Sequence, residues 1–159
     1  MNASPAADTP PALLVYDAEI ELTSLRGSRW VPYCRFHTGY RQTILAPDEL
    51  LTRIRFPHQS GCTRSRFRKV GARKAMAISK VCFAALWDLE QNEIRIAYGS
   101  VAPFPLRCFA TEASIRKGED AAKSLAQELL PINDNRSNAA YRLRVAQNLL
   151  ADFLNNNVS

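Results

Sequence analysis

Two stretches in the first third of the chain alternate apolar and polar residues. In residues 19–25 (EIELTSL), Ile20 and Leu22 share one face, which predicts a half-buried strand. Arg26, Gly27 and Ser28 supply turn chemistry, so residues 29–33 are expected to return as the second arm of a hairpin. Residues 50–56 predict another strand, closed by Pro57. Ahead of these, Asp8 or Thr9 is a candidate helix cap. Pro10 and Pro11 suit a first helical turn, where a missing N–H is not missed, and a short helix is expected over 12–18. The polar stretch 58–66, with Gly61, marks a break between two units.

Beyond the break, residues 78–89 are apolar and β-prone, Gln91 and Asn92 form a turn, and residues 94–98 alternate again. These predict a small antiparallel sheet, interrupted by Pro103 and Pro105. Two helices are then expected, over 121–130 and 139–154. In the second, Tyr141, Val145, Leu149 and Phe153 recur at four-residue steps beside Leu150 and Leu154, the pattern of a core-facing stripe. The fold class read from this pattern is α+β, with mixed elements first and a helix-covered sheet after them.

The chain has 159 residues, 47% of them hydrophobic and 23% charged, which is ordinary for a globular protein able to build its own core. The longest apolar run, Val81 to Trp87, is far short of the roughly 20 residues that span a bilayer. The first residues lack the basic-then-apolar pattern of a secretory leader, so the expected location is the cytoplasm, with no membrane partner. The four cysteines, Cys34, Cys62, Cys82 and Cys108, show no metal-ligand spacing with one another or with His37 and His58. Reduced, structural thiols are expected.

No phosphate-binding glycine loop, nucleophile elbow or Ser/His/Asp set is present, so no catalytic residue is assigned. The most unusual feature is a cluster of cations: Arg64, Arg66, Arg68, Lys69, Arg73, Lys74 and Lys80. It reads as an anion-holding loop, as the solvated face of a strand and turn, or as a nucleic-acid groove. With Phe67 alone among them as a stacking ring, a nucleic-acid partner is not expected.

Six segments, in order along the chain, resemble the FAD-binding medium subunits of molybdenum hydroxylases, of the xanthine dehydrogenase and carbon monoxide dehydrogenase type. The first is 2–14, NASPAADTPPALL. Residues 36–45, FHTGYRQTIL, are similar to the family's FxxxYRxTxL, and Pro47 to Pro57 to its PDELLxxIxxP. Residues 67–80, FRKVGARKAMAISK, look like its FxK…R…I stretch. Residues 99–107, GSVAPFPLR, with Glu112 resemble GxVAPxPxR…E, and 134–142, DNRSNAAYR, the closing D/R/S/YR segment.

The resemblance implies the C-terminal half of an α/β FAD-binding domain over 1–57, then an α+β flavoprotein C-terminal domain of antiparallel sheet and helices over 62–159. Family members carry a glycine-rich FAD loop ahead of the matching part, and the expectation is that this chain is a truncated subunit lacking it. By resemblance, Asn2 and Ser4 lie in the loop near the flavin, and Asp8 hydrogen-bonds the cofactor. Leu51 contacts a ring, and Lys69 sits where an ammonium stabilises a reduced flavin or a phosphate. The loop Val70 to Ser79 borders the flavin and the electron acceptor. Met76 and Ala77 stand where xanthine dehydrogenases have acidic residues, which leaves the acceptor open. The implied role is electron relay from [2Fe–2S] clusters on a small subunit through FAD, with molybdopterin on a large subunit. The rival reading is a non-catalytic assembly module, or a decayed fragment that does not bind FAD alone.

Overall fold

The computed structural model describes residues 3–58, 61–73 and 76–156. Pro10 and Pro11 fall within the first turn of α1 (Thr9–Val15), where their fixed φ favours the helix. The helix therefore starts three residues before the expected position. It ends as Asp17 takes a φ of 49°, a left-handed geometry that cannot continue a helix. The hairpin follows as β1 (Glu19–Ser24) and β2 (Gly27–Pro32), with Leu25 and Arg26 alone at its tip. Gly27 carries a φ of 130°, so the turn sits one residue earlier than its composition indicated.

A short 3-10 turn, Tyr33–Arg35, leads into a small ribbon of β3 (His37–Gly39) and β4 (Gln42–Thr43) that the hydrophobic pattern did not announce. The strand β5 (Leu50–Arg55) then pairs antiparallel with the other edge of β1, giving a three-stranded sheet of order β2-β1-β5.

The second sheet has four antiparallel strands in sequence order: β6 (Thr63–Val70), β7 (Val81–Asp88), β8 (Glu93–Gly99) and β9 (Leu106–Arg107). Three helices follow, α2 (Phe109–Arg116), α3 (Ala121–Glu128) and α4 (Ala139–Asn155). Nearly all of β7 is buried because both faces of this sheet are covered. Val81, Phe83 and Ala85 join Ile96, Tyr98, Leu125, Ala146, Leu150 and Phe153 in a core beneath α3 and α4. On the opposite face, Ala84, Leu86 and Ala97 pack with Leu13, Leu14, Val15, Ile20 and Leu22 of α1 and the first sheet.

The core face of α4 differs from the expected stripe. Arg142, Ala146, Leu150 and Phe153 are buried, whereas Tyr141 remains 42% exposed. Arg142 takes the inward position because its guanidinium donates to the carbonyls of Lys80 (2.6 Å) and Ser100 (2.7 Å) and to Asp134 Oδ1 (2.8 Å). A pattern of apolar residues alone does not reveal a buried cation satisfied in this way. The helix α2 has no strong apolar stripe, and the amides of Ala110 and Thr111 at its start donate to Glu128 of α3.

Candidate functional site

The loop leading into α1 is folded on itself: Ser4 Oγ accepts from the Ala6 amide (3.3 Å) and the Ala7 amide donates to the Ser4 carbonyl (3.2 Å). The Ser100 amide holds the loop to the second sheet through the Pro5 carbonyl (2.9 Å). Asp8 stands at the N-cap position of α1 yet does not cap it. Its carboxylate turns to the second sheet instead. Lys69 Nζ of β6 meets Asp8 Oδ2 at 2.5 Å, and Ser79 Oγ donates to Asp8 Oδ1, also at 2.5 Å.

Register explains why these residues meet. Along β6, Arg64, Arg66 and Arg68 pair with Trp87, Ala85 and Phe83, whose odd-numbered positions face the α4 side. Lys69 pairs with Cys82 and faces α1. The strand part of the basic cluster is therefore split across the two faces of β6 and is not an anion-holding loop, and Lys74 lies outside the described residues. Arg66 forms an ion pair with Asp152 of α4, far from Lys69's partner.

The side chains of Lys69 and Asp8 are 33% and 42% exposed, so a ligand can reach both, while Ser79 is buried behind them. Partial burial works to raise the Asp8 carboxyl, but the hydrogen bonds from Lys69 and Ser79, with the ammonium charge, outweigh it. The group is held below its ordinary 3.8. Next to them, the Cys82 thiol is pushed up to about 12 by burial and by the Asp8 carboxylate, and it stays a neutral, unreactive S–H. The site thus presents a fixed carboxylate acceptor beside an ammonium donor.

One face of α1, formed by Thr9, Ala12, Leu13 and Tyr16, is the floor of an apolar groove whose lining includes neither Asp8 nor Lys69. Phe56 and Pro57 close its far side, and its volume is about 470 Å³. Tyr16 and Phe56 meet edge to face at 6.3 Å, and Phe56 is still 54% exposed.

Of the residues expected at the site, Asp8 and Lys69 are in contact, and Ser4 shapes the loop that delivers Asp8. Leu51 is half-buried on β5 and packs against the core beneath the first sheet; it does not line the groove. Asn2 lies outside the described residues. Sequence reasoning placed Ser79 only at the end of the loop that borders the flavin and gave it no role of its own, since a small polar residue has nothing to distinguish it. In the β6–β7 loop, the Arg73 guanidinium donates to the Met76 carbonyl (2.8 Å), and Met76 is 92% exposed at a φ of 51°.

Comparison with known proteins places these elements. The model for the FAD binding domain in molybdopterin dehydrogenase matches residues 1–59. That for the CO dehydrogenase flavoprotein C-terminal domain matches residues 66–157. The chain belongs to the flavoprotein family of the molybdenum hydroxylases. The putative xanthine dehydrogenase FAD-binding subunit XdhB of Escherichia coli K12 is 33% identical over 159 residues, which cover 93% of this chain and 54% of that one. The glyceraldehyde dehydrogenase medium chain of Sulfolobus acidocaldarius is 32% identical, over 92% of this chain and 55% of its own. The carbon monoxide dehydrogenase of Hydrogenophaga pseudoflava superposes with a TM-score of 0.84 at 26% identity, over 94% of this chain and 55% of its own. The chain thus spans about half the length of the flavoprotein relatives it matches. The Asp8–Lys69 and Asp8–Ser79 contacts join the two matched segments directly. Among the described residues, no helix is long and apolar enough to cross a membrane.

Proposed function

We propose that this chain forms one wall of an FAD site and serves as the flavin-binding part of a molybdenum hydroxylase. The observation that carries the reading is the half-exposed Asp8–Lys69 ion pair just ahead of α1, a helix whose one face floors an apolar groove. A flavin has a polar edge that offers an N–H donor and carbonyl acceptors, and an apolar end. A carboxylate acceptor beside an ammonium donor, followed by a groove of Ala12, Tyr16 and Phe56, is chemically matched to such a molecule. Asp8 accepts from the cofactor, Lys69 donates to it and balances negative charge, and Ser79 fixes the direction in which Asp8 points. Ser4 belongs to the adjoining loop, while Leu51 supports the first sheet.

FAD, when bound, accepts electrons singly or in pairs and passes them on. In the assembled enzyme it would carry electrons from [2Fe–2S] clusters on a small subunit to an acceptor, with molybdopterin on a large subunit supplying the hydroxylation chemistry. Relatives named as an FAD-binding subunit and a medium chain support a place in a multi-subunit enzyme.

Ligand sites for molecules of this class bury most of the ligand surface, and one wall cannot do so. The chain alone is therefore expected to bind FAD weakly, with a Kd of about 10 μM or higher. Reconstitution with the part of the E. coli XdhB chain that this one does not span should yield a complex that retains yellow flavin through gel filtration. Lys69→Met and Asp8→Asn should each release it. A submicromolar Kd for the chain alone would overturn the one-wall reading. Full flavin retention in both variants would remove Asp8 and Lys69 from the site.

A further inference from the structure

Behind the Asp8–Ser79 pair lies a second, smaller cavity of about 70 Å³, lined in part by Pro5, Ala6, Ser79, Ser100, Asp134 and Arg142. Two of the lining residues hold buried polar atoms with no hydrogen-bond partner, Ser100 Oγ and Arg142 Nε. Both residues are more than nine-tenths buried, Ser100 at 8% exposure and Arg142 at 2%. Buried polar atoms left unmatched are strongly disfavoured, so two beside one polar cavity point to a ligand between them.

Ser100 adds a second, independent reason. Its φ is 66°, a left-handed conformation in which glycine is the easier residue. Its backbone is already committed, the amide to the Pro5 carbonyl and the carbonyl to Arg142, and glycine makes both bonds equally well. What serine adds is the hydroxyl.

The charge around the cavity decides the ligand class. The Arg142 guanidinium is compensated by the Asp134 carboxylate at 2.8 Å and by two carbonyls. Asp8 lies one hydrogen bond away through Ser79. Arg136, the other cation on the lining, lies 3.7 Å from the same Asp134, so two cations and two carboxylates balance and an added charge of either sign gains nothing there. A neutral molecule that both donates and accepts suits the set. A water needs at least about 10–15 Å³ of such space and two to four polar partners, so the cavity has room for two or more.

We propose that this cavity is a built site for about two ordered water molecules, bound by Ser100 Oγ, Arg142 Nε–H, Asp134 and the free lone pair of Ser79 Oγ. The waters brace the loop 3–8 from behind and link the carboxylate of Asp8, through Ser79, to the start of α4. This inference needs no cofactor and stands apart from the flavin reading.

Crystals of the whole chain test it, with one set soaked in sodium bromide and measured at the bromine absorption edge. The expected result is compact density within hydrogen-bond distance of Ser100 Oγ and Arg142 Nε, without anomalous signal, that is lost in Ser100→Ala. If the strain of a left-handed alanine prevents folding, Ser100→Gly removes the same hydroxyl without it. In either variant, hydrogen exchange at the Ala7 amide should speed up by about tenfold, because the brace is gone. A dry cavity, an anomalous peak marking it as an anion site, or unchanged exchange at Ala7 would overturn the proposal.

Discussion

Among the described residues, Arg107 and Glu112 form the most buried ion pair with a double contact, and their loss gives a quantitative test of how the two sheets are joined. Arg107 Nε donates to Glu112 Oε1 at 2.8 Å and its Nη2 to Oε2 at 3.1 Å, with side-chain exposures of 8% and 5%. The same guanidinium pairs with Asp17 just beyond α1, and the Ile96 amide donates to Glu112 Oε1 at 2.8 Å. In Arg107→Met the stem still packs, but the Glu112 carboxylate stays buried with a single amide donor. Asp17 retains Arg95 at 3.1 Å and is half exposed to water, so the penalty falls on Glu112. Breaking a buried pair from one side costs about 3–5 kcal/mol.

Protonation limits the loss. Burial already lifts the Glu112 carboxyl above its ordinary 4.5 against the pull of Arg107, and without the guanidinium it rises further. A carboxyl with an unfolded value of 4.5 that is forced neutral at pH 7 costs about 3.4 kcal/mol, at about 1.36 kcal/mol per pH unit. The folded pKa is raised, so the variant keeps this stability below about pH 4.5 and loses it as pH rises toward the folded value. Urea unfolding followed by tryptophan fluorescence should show a loss of about 3–4 kcal/mol at pH 7, which lowers the midpoint by roughly 1.5–2 M for a slope near 2 kcal/mol/M. At pH 5 the loss should shrink by more than half. Adding Glu112→Gln should recover about 2 kcal/mol at pH 7, because an amide is neutral without the cost of protonation. A loss below about 1 kcal/mol, or one independent of pH, would show that water reaches the pair and that the burial argument fails.

Two further outcomes follow from the same geometry. Asp8 is held below 3.8, so its contribution to stability is present above that value and disappears as pH falls through the folded pKa. In Lys69→Met, carbon-13 NMR titration should place the Asp8 midpoint above that of the unmodified chain, since burial persists after the ammonium has gone; an unchanged midpoint would refute the ion pair. Phe153, 1% exposed and 6.1 Å from the Phe83 ring, closes the core beneath α4, and Phe153→Ala should cost about 3–5 kcal/mol in the same urea assay.

Much of the fold was legible because its elements carry local signals. Ile20 and Leu22 alternate, Pro10 and Pro11 mark a helix start, and the run from Val81 to Leu86 states a fully covered strand. What stayed hidden depends on partners distant in sequence. The amides that open α2 are satisfied by Glu128, and Arg142 can face the core because Lys80 and Ser100 offer carbonyls. The same division applies to the site. Resemblance named Asp8 and Lys69 and ended the bordering loop at Ser79, whereas the role of Ser79 emerges only once its bond to Asp8, 71 residues away, is seen.

The break near residue 58 separates two segments by composition, but energetically they are not independent. The core of the first contains Leu13, Leu14, Ile20, Leu22, Tyr33 and Phe36, and it is completed by Ala84, Leu86 and Ala97 from β7 and β8. Asp17 and Asp8 add ion pairs to Arg107 and Lys69 across the same boundary. A piece of about 55 residues is marginal even with its core closed. Residues 1–57 expressed alone should therefore lack a cooperative unfolding transition, with collapsed amide dispersion in proton–nitrogen NMR spectra. Addition of residues 61–159 should restore the dispersion, because it returns the face on which α1 packs. A sigmoidal urea transition for the isolated first segment would show that the contacts to β7 and β8 are incidental. In that case the Asp8–Lys69 pair would be a docking contact between two self-sufficient domains and not part of a shared core.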